Sequence, residues 1–419
     1  MRYYHYLKIS LIYCIFFVIL YFEGMPIGGV QISQLWKLPI IAYVMVWVVI
    51  NYKRTFTFNK FAYGYGLIKL FNIGIVNTPI VALTDFMKFS TFPFFLDYCI
   101  HKIKSVKRIY SILFYVAQFV ILSFIPFLFH IMEAPHAKIY ADMTINEMME
   151  EAGKTSGLFL SSHGASAILA LCLIIIIYIF QHQKMKKLKR VYFIFLIIIG
   201  VWALITTYAR GGWAMFVVGM IILFFKKEKK YIVGGLCAIL IGVSGVLYLM
   251  ETNETFYNRI MDRGAKGEVQ KEVGSGRLVF AQNGFEFWMN SHNIQEYLTG
   301  QGYDRLAEYQ KQKTGLKIYC HNGFVDALAQ NGFIGFTLFI MHFYFVFLLI
   351  YRNRKDRNTR LVFSIFVMKV VFNLVQGGVN PYSDIIYILT LCLFINGRIE
   401  QCYKRMLKRR TELPILSRH

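Results

Sequence analysis

Long apolar runs recur along this chain, and they limit what it can fold into more than any other feature. Residues 171–180, 191–205, 213–225, 231–250 and 333–350 are the clearest examples, with short basic clusters between them. A helix needs roughly 20 predominantly apolar residues to cross the hydrocarbon core of a bilayer, and the runs are of that order. Taken in sequence they give about twelve spans, at residues 6–22, 33–50, 61–77, 79–100, 109–131, 157–180, 191–209, 211–225, 231–250, 323–350, 361–379 and 382–397. With 57% hydrophobic and only 16% charged residues, the chain falls in the membrane class and outside the soluble globular one. The expectation is an all-α polytopic membrane protein.

The net charge of +23 raises the question of anionic partners, and its placement answers it. The basic clusters are Lys53, Arg54 and Lys60, then residues 102–108, 184–190, 226–230, 352–360 and 404–410. With twelve spans every cluster falls on one side. Lys and Arg are retained on the cytoplasmic face, so both chain ends are expected inside. Roughly 30 of the 46 basic residues then lie inside, which makes the charge a topology signal and argues against nucleic acid as a partner. No small-residue cleavage site follows Tyr21, so the first span is expected to remain as a helix. The seven cysteines are scattered, with Cys320 the one expected outside and no spacing that suggests zinc.

The spans divide the chain into residues 1–131 with five helices, 132–250 with an external loop and four more, 251–322 as a large extracytoplasmic loop, and 323–419 with the last three helices and a basic tail. The first loop contains a short acidic amphipathic helix from Tyr140 to Glu151. The second is the one long polar stretch, helical in pattern over 279–288 and 303–311. Phe280, Phe285, Phe287 and Trp288 are too apolar for a flexible tether and imply a loop folded down onto the membrane domain.

Three short stretches on the outer side carry candidate chemistry. Arg210 lies in Thr-Thr-Tyr-Ala-Arg-Gly-Gly-Trp (206–213), where two spans meet, and a cation recessed toward lipid is costly unless an anion compensates it. It reads either as an interfacial arginine snorkelling to head groups or as a phosphate ligand, its planar fork suiting bidentate contact. Gly211 and Gly212 would let an anion approach the start of the next helix. Arg277 follows Gly274-Ser275-Gly276 and also precedes a helix; it reads as an exposed loop arginine or as a second phosphate ligand. Gly300-Gln301-Gly302-Tyr303 lies in the same loop. His321 opens His-Asn-Gly-Phe-Val-Asp, passing from loop into membrane. Its imidazole is structural, or it takes a proton from an attacking hydroxyl, with Asn322 and Asp326 placed to orient the ring or a sugar. Gly332 and Gly335 read as close helix packing.

In order and side, these features resemble the bacterial O-antigen ligase and O-antigen or capsular polysaccharide polymerase superfamily. They are the Arg-Gly turn at 210–211, Ser-Gly-Arg at 275–277, Gly-Gln-Gly at 300–302, and His-Asn followed by Gly-Phe-Ile-Gly at 321–335. The resemblance covers residues 158–396 best; the first five spans match only in being hydrophobic. It implies a GT-C-like helical membrane glycosyltransferase in the bacterial cytoplasmic membrane, working on the outer face without metal or cofactor. The implied donor is an oligosaccharide on undecaprenyl pyrophosphate, with Arg210 and Arg277 holding the pyrophosphate. His321 would activate the acceptor hydroxyl, with inversion at the anomeric carbon, and Gly211, Gly302, Tyr303, Asn322 and Asp326 would contact substrate. A chain-length regulator protein is a further implied partner, beside membrane lipid. The wording after His321 favours a polymerase over a ligase that transfers glycan to lipid A core. A flippase or other transporter is the reading from another class; transporters usually show internal repeats and midplane broken helices, and the two halves here differ.

Overall fold

The computed structural model describes residues 2–23, 25–27, 30–51, 55–71, 79–133, 155–159, 161–224, 251–252, 277–356, 358–377 and 381–412. The expected span at 231–250, the acidic helix near Tyr140 and the Gly274-Ser275-Gly276 turn lie outside these residues. The described chain is helical apart from a two-residue antiparallel ladder, Pro26–Ile27 with Val30–Gln31.

The first half contributes α1 (Arg2–Tyr21), α2 (Ile32–Ile50), α3 (Thr57–Phe71), α4 (Pro79–Lys102), α5 (Val106–Ser123) and the short α6 (Ile125–Leu128). Next come α7 (Ser162–His182), α8 (Lys187–Thr206) and α9 (Arg210–Phe224). The external segment holds α10 (Arg277–Met289), α11 (Ile294–Thr299) and α12 (Gly302–Thr314), and the chain closes with α13 (Gly323–Arg352), α14 (Thr359–Val375) and α15 (Pro381–Glu412). Among the described residues, five helices are long and apolar enough to cross a membrane: Val106–Leu128, Ser162–His182, Lys187–Thr206, Gly323–Arg352 and Tyr382–Glu400. Leu7–Tyr21, Leu35–Ile50 and Arg210–Phe224 are shorter apolar helices.

The core forms around α7. Every residue from Ala165 to Ile179 is buried, as expected of a helix that is apolar on all sides. Helices α5, α8, α9, α14 and α15 pack around it. Close approach is bought with small residues: a methyl group added at Gly212 would sit 2.4 Å from Ser166 Cβ on α7, and one at Gly200 2.7 Å from Leu173 Cδ2.

Polar contacts gather the helix ends into two groups. At one end Asn358 accepts from the Tyr110 and Tyr178 hydroxyls, Asn396 donates to Ile103 O at 2.7 Å, and Lys102 lies over Trp47. The basic stretches 102–108 and 352–360 belong to this end. At the opposite end Glu23 joins Lys37, at 2.6 Å, to the Tyr382 hydroxyl, and Thr155 N donates to Thr206 O.

The span expected at 323–350 is one helix only in outline. Gly332 has φ 64°, ψ −171°, which breaks α13 into 323–331 and 333–352. The second piece, 20 residues at 1.5 Å each, is about 30 Å long and sufficient to cross a bilayer alone. The break exists because two backbones meet: Gly332 would place a methyl 2.4 Å from Leu298 C, and Gly300, at φ 81°, would place one 2.4 Å from Asn331 N. The glycine of the Gly-Gln-Gly motif therefore locks the external segment against the kink. Gly332→Ala adds a left-handed-region strain of about 1–3 kcal/mol to this clash. We expect a clearly lowered Tm in detergent; a Tm equal to wild type would refute the backbone lock.

Candidate functional site

The three stretches singled out in the sequence meet around the C-terminal end of α14. Gly211 packs on Val375, where an added methyl would lie 3.3 Å from Cγ1. Arg277 donates from Nη1 to Val375 O at 2.8 Å. Gly377, two residues on, faces the turn after His321: a methyl there would sit 2.7 Å from Gly323 N and 3.0 Å from Asn322 C. His321 lies beside Phe280, one turn along α10 from Arg277, with ring centroids 6.0 Å apart, and beside Tyr319 at 4.5 Å.

Each arginine opens a helix. Arg210 is exposed as the first residue of α9, and Arg277 is half-buried as the first residue of α10. One of the five guanidinium N–H groups of Arg277 is committed to Val375 O, at a helix end that favours cations. Gly211 and Gly212 were expected to open the backbone to an anion. They are buried instead against Val375 and Ser166, so their smallness serves helix packing.

His321 has φ 54°, and Tyr208, two residues before Arg210, has φ 50°. Left-handed backbone is rare for non-glycine residues, and such positions cluster where the surrounding structure holds a side chain in place. Here both fall inside the predicted stretches.

The other predicted residues divide. Asn322 is the N-cap of α13: its Oδ1 accepts from Phe324 N at 3.0 Å and Val325 N at 3.2 Å, a structural account of a residue read as a sugar or ring contact. Gly302, at φ 77°, starts α12, and its neighbour Gly300 carries the lock on the kink. Tyr303 and Asp326, by contrast, line a cavity of about 690 Å³. Asp326 is buried, with Oδ1 accepting from Cys320 N at 2.9 Å and Gln330 Nε2 at 3.4 Å. The external segment is folded onto the bundle as expected, with Phe280, Phe287 and Trp288 buried, although Phe285 is half exposed. Gln310, fully buried, ties it together by donating to Phe280 O and accepting from Asn283.

The cavity adds residues that spacing alone did not single out. Lys369 is buried and pairs with Asp384, with Ser383 beside it; both charged partners line the cavity. Lys88 and Gln376 also reach it. Behind Asp326, Gln330 accepts from the buried Lys69, and Asn331 donates to the Tyr65 hydroxyl. The sequence signal for these groups was a lysine inside an apolar run, at 69, 88 and 369.

Burial, then the nearby Asp326 and Tyr303, push the Tyr319 phenol up to about 12, against the opposing pull of Arg277. Tyr319 therefore keeps its proton throughout the neutral range, where an imidazole changes charge. Tyr319→Phe should leave the position of any neutral-pH limb in the rate profile unmoved; a displaced limb would show that the phenol takes part. Asn322→Ala should lose about 1 kcal/mol of stability with the cap. Asn322→Ser should restore it, together with activity; a Ser variant that is stable but inactive would instead make Asn322 a substrate contact.

Residues 195–340 match the family model described as O-Antigen ligase. No curated protein matches the chain. The matched stretch holds Arg210, Arg277 and His321 alike, and over it this chain is similar to the O-antigen ligase and polymerase superfamily.

Proposed function

We propose that the protein is a membrane glycosyltransferase that polymerises oligosaccharide repeat units carried on undecaprenyl pyrophosphate, on the outer face of a bacterial cytoplasmic membrane. In this reading the chain crosses the membrane about twelve times with a GT-C-like arrangement, and the end gathering residues 102–108 and 352–360 is the cytoplasmic one. The observation that carries it is the meeting of Arg277, of Gly211 next to Arg210, and of the His321 turn around residues 375–377.

The chemistry follows from charge. The acceptor hydroxyl attacks the anomeric carbon of the donor from the face opposite the lipid pyrophosphate; the new C–O bond forms as the bond to the phosphate oxygen breaks, with inversion. His321, neutral beforehand, takes the hydroxyl proton. The departing pyrophosphate gains negative charge, which Arg210 and Arg277, at helix N-termini, are placed to stabilise. A guanidinium suits this better than an ammonium because its fork matches two phosphoryl oxygens at once.

The ligase reading has its own support in the description of the matching family model. Purified protein given its lipid-linked repeat unit distinguishes the readings: a ladder of product lengths means polymerase, a single transfer to lipid A core means ligase, and unchanged substrate means transport. His321→Ala should abolish product with folding intact. Arg210→Ala and Arg277→Ala should each lower donor use about tenfold or more, and by more than Lys at the same position, a loss of the size expected for a charge-assisted contact. Full activity in the His321 variant would remove the proposed base.

A further inference from the structure

The proposed anion site and the cavity differ in chemistry. Three carboxylates line the cavity, Asp304, Asp326 and Asp384, against two lysines, Lys88 and Lys369, and Lys369 is already paired with Asp384. Such a wall repels a pyrophosphate. Its lining is largely apolar, but Gln330, Asn373 and Gln376 add amides to the charged groups, and an isoprenoid tail would leave these without partners. What remains is a ligand with many neutral hydrogen-bonding groups and some apolar faces, in a volume of about 690 Å³, typical of a site for a compact organic ligand.

Asp326 gives this wall a specific demand. The residue is only 7% exposed, and while Oδ1 accepts from Cys320 N and Gln330, Oδ2 has no hydrogen-bond partner. A buried carboxylate oxygen without a donor is costly, so it calls for one from outside the chain. Gly377 packs beside that oxygen, and a methyl there would lie 2.7 Å from it, so a side chain at 377 would press on the carboxylate. Tyr303, Tyr319, Phe159 and Tyr382 supply aromatic surface to the same cavity.

We propose that the cavity is a carbohydrate subsite for the neutral, hydroxyl-rich sugars of the substrate glycan, in which Asp326 Oδ2 accepts a hydrogen bond from a sugar hydroxyl. This rests on the glycosyl-transfer reading and adds to it a division of labour: pyrophosphate at the arginines, sugar rings in the cavity. Asp326 sits one helical turn into α13 from the His321 turn, so a ring held there lies next to the proposed base.

The test uses the full-length protein in detergent and two probes. One is the free oligosaccharide repeat unit, released by mild acid from the lipid-linked pool of producing cells; the other is undecaprenyl pyrophosphate without sugar. Wild type should bind both at once, neither displacing the other. Asp326→Asn, which keeps size and the Cys320 contact but places an amide where the acceptor was, should weaken oligosaccharide binding about tenfold or more and leave undecaprenyl pyrophosphate binding unchanged. Unchanged oligosaccharide affinity in that variant would overturn the proposal, since Oδ2 then meets only water, as would equal loss of both probes in a folded variant. If Asp326→Asn does not fold, wild-type co-binding decides, and displacement of one probe by the other overturns the separate subsite. Wild type that binds the oligosaccharide but not undecaprenyl pyrophosphate would sink the pyrophosphate reading and leave the sugar subsite standing.

Discussion

The last turn of α14 is where this structure is tied together. A helix ends with carbonyls that lack intrahelical donors, and here Gly377, at φ 64°, turns its N–H back to Phe372 O while Arg277 reaches across to Val375 O. The second bond joins the external segment to the membrane bundle, and it does so through a residue proposed to hold phosphate. Anchoring one N–H of a guanidinium fixes the plane of the others. A group that must stabilise charge developing on a leaving phosphate is most effective when it does not have to reorganise, so a structural bond and an electrostatic role reinforce one another in Arg277.

The same turn explains why residues far apart in sequence meet. Val375 is the common neighbour of Gly211 and Arg277, and Gly377 is that of Asn322, Gly323 and Asp326. Every one of these contacts involves a glycine or an arginine, that is, either the absence of a side chain or a long one. Backbones can then approach within a few ångströms at the crossing of four segments, while charge is delivered from a distance.

Much of this was legible in the sequence, and what was not has identifiable causes. Apolar runs located the described helices because hydrophobic length survives any tertiary arrangement, and the arginines and His321 stood out as polar groups at the ends of such runs. Glycine roles were the harder part to read. From sequence, Gly211 and Gly212 beside an arginine suggest anion binding, Gly302 a substrate contact, and Gly332 with Gly335 close packing, but whether a glycine serves a ligand or a neighbouring helix depends on what packs against it. The kink at Gly332 was hidden for the same reason, since its cause, the backbone at Leu298–Gly300, lies some thirty residues earlier in the chain. The Lys369–Asp384 pair joins two helices, and nothing in the spacing of one apolar run names its partner in another.

In the proposed reading the cavity draws on both halves of the chain. The proposed base and both arginines fall within residues 195–340, where the family match lies. Ala62, Tyr65, Lys88, Phe89 and Phe92, on α3 and α4, form another part of the wall, in a region that resembles the superfamily only in being apolar. The chemistry of displacing a pyrophosphate is the same whatever sugars are joined, and it demands fixed groups at fixed positions. Recognition of particular sugars demands a surface that differs with each glycan. In the proposed reading part of the wall can change without disturbing the arginines, because α3 packs on α13 and α4 on α3 and α15, whereas Arg277 is tied to the turn after α14. In that reading α3 and α4 contribute to substrate choice beside Asp326 on α13 and Tyr303 on α12, from a region where sequence resemblance carries the least information.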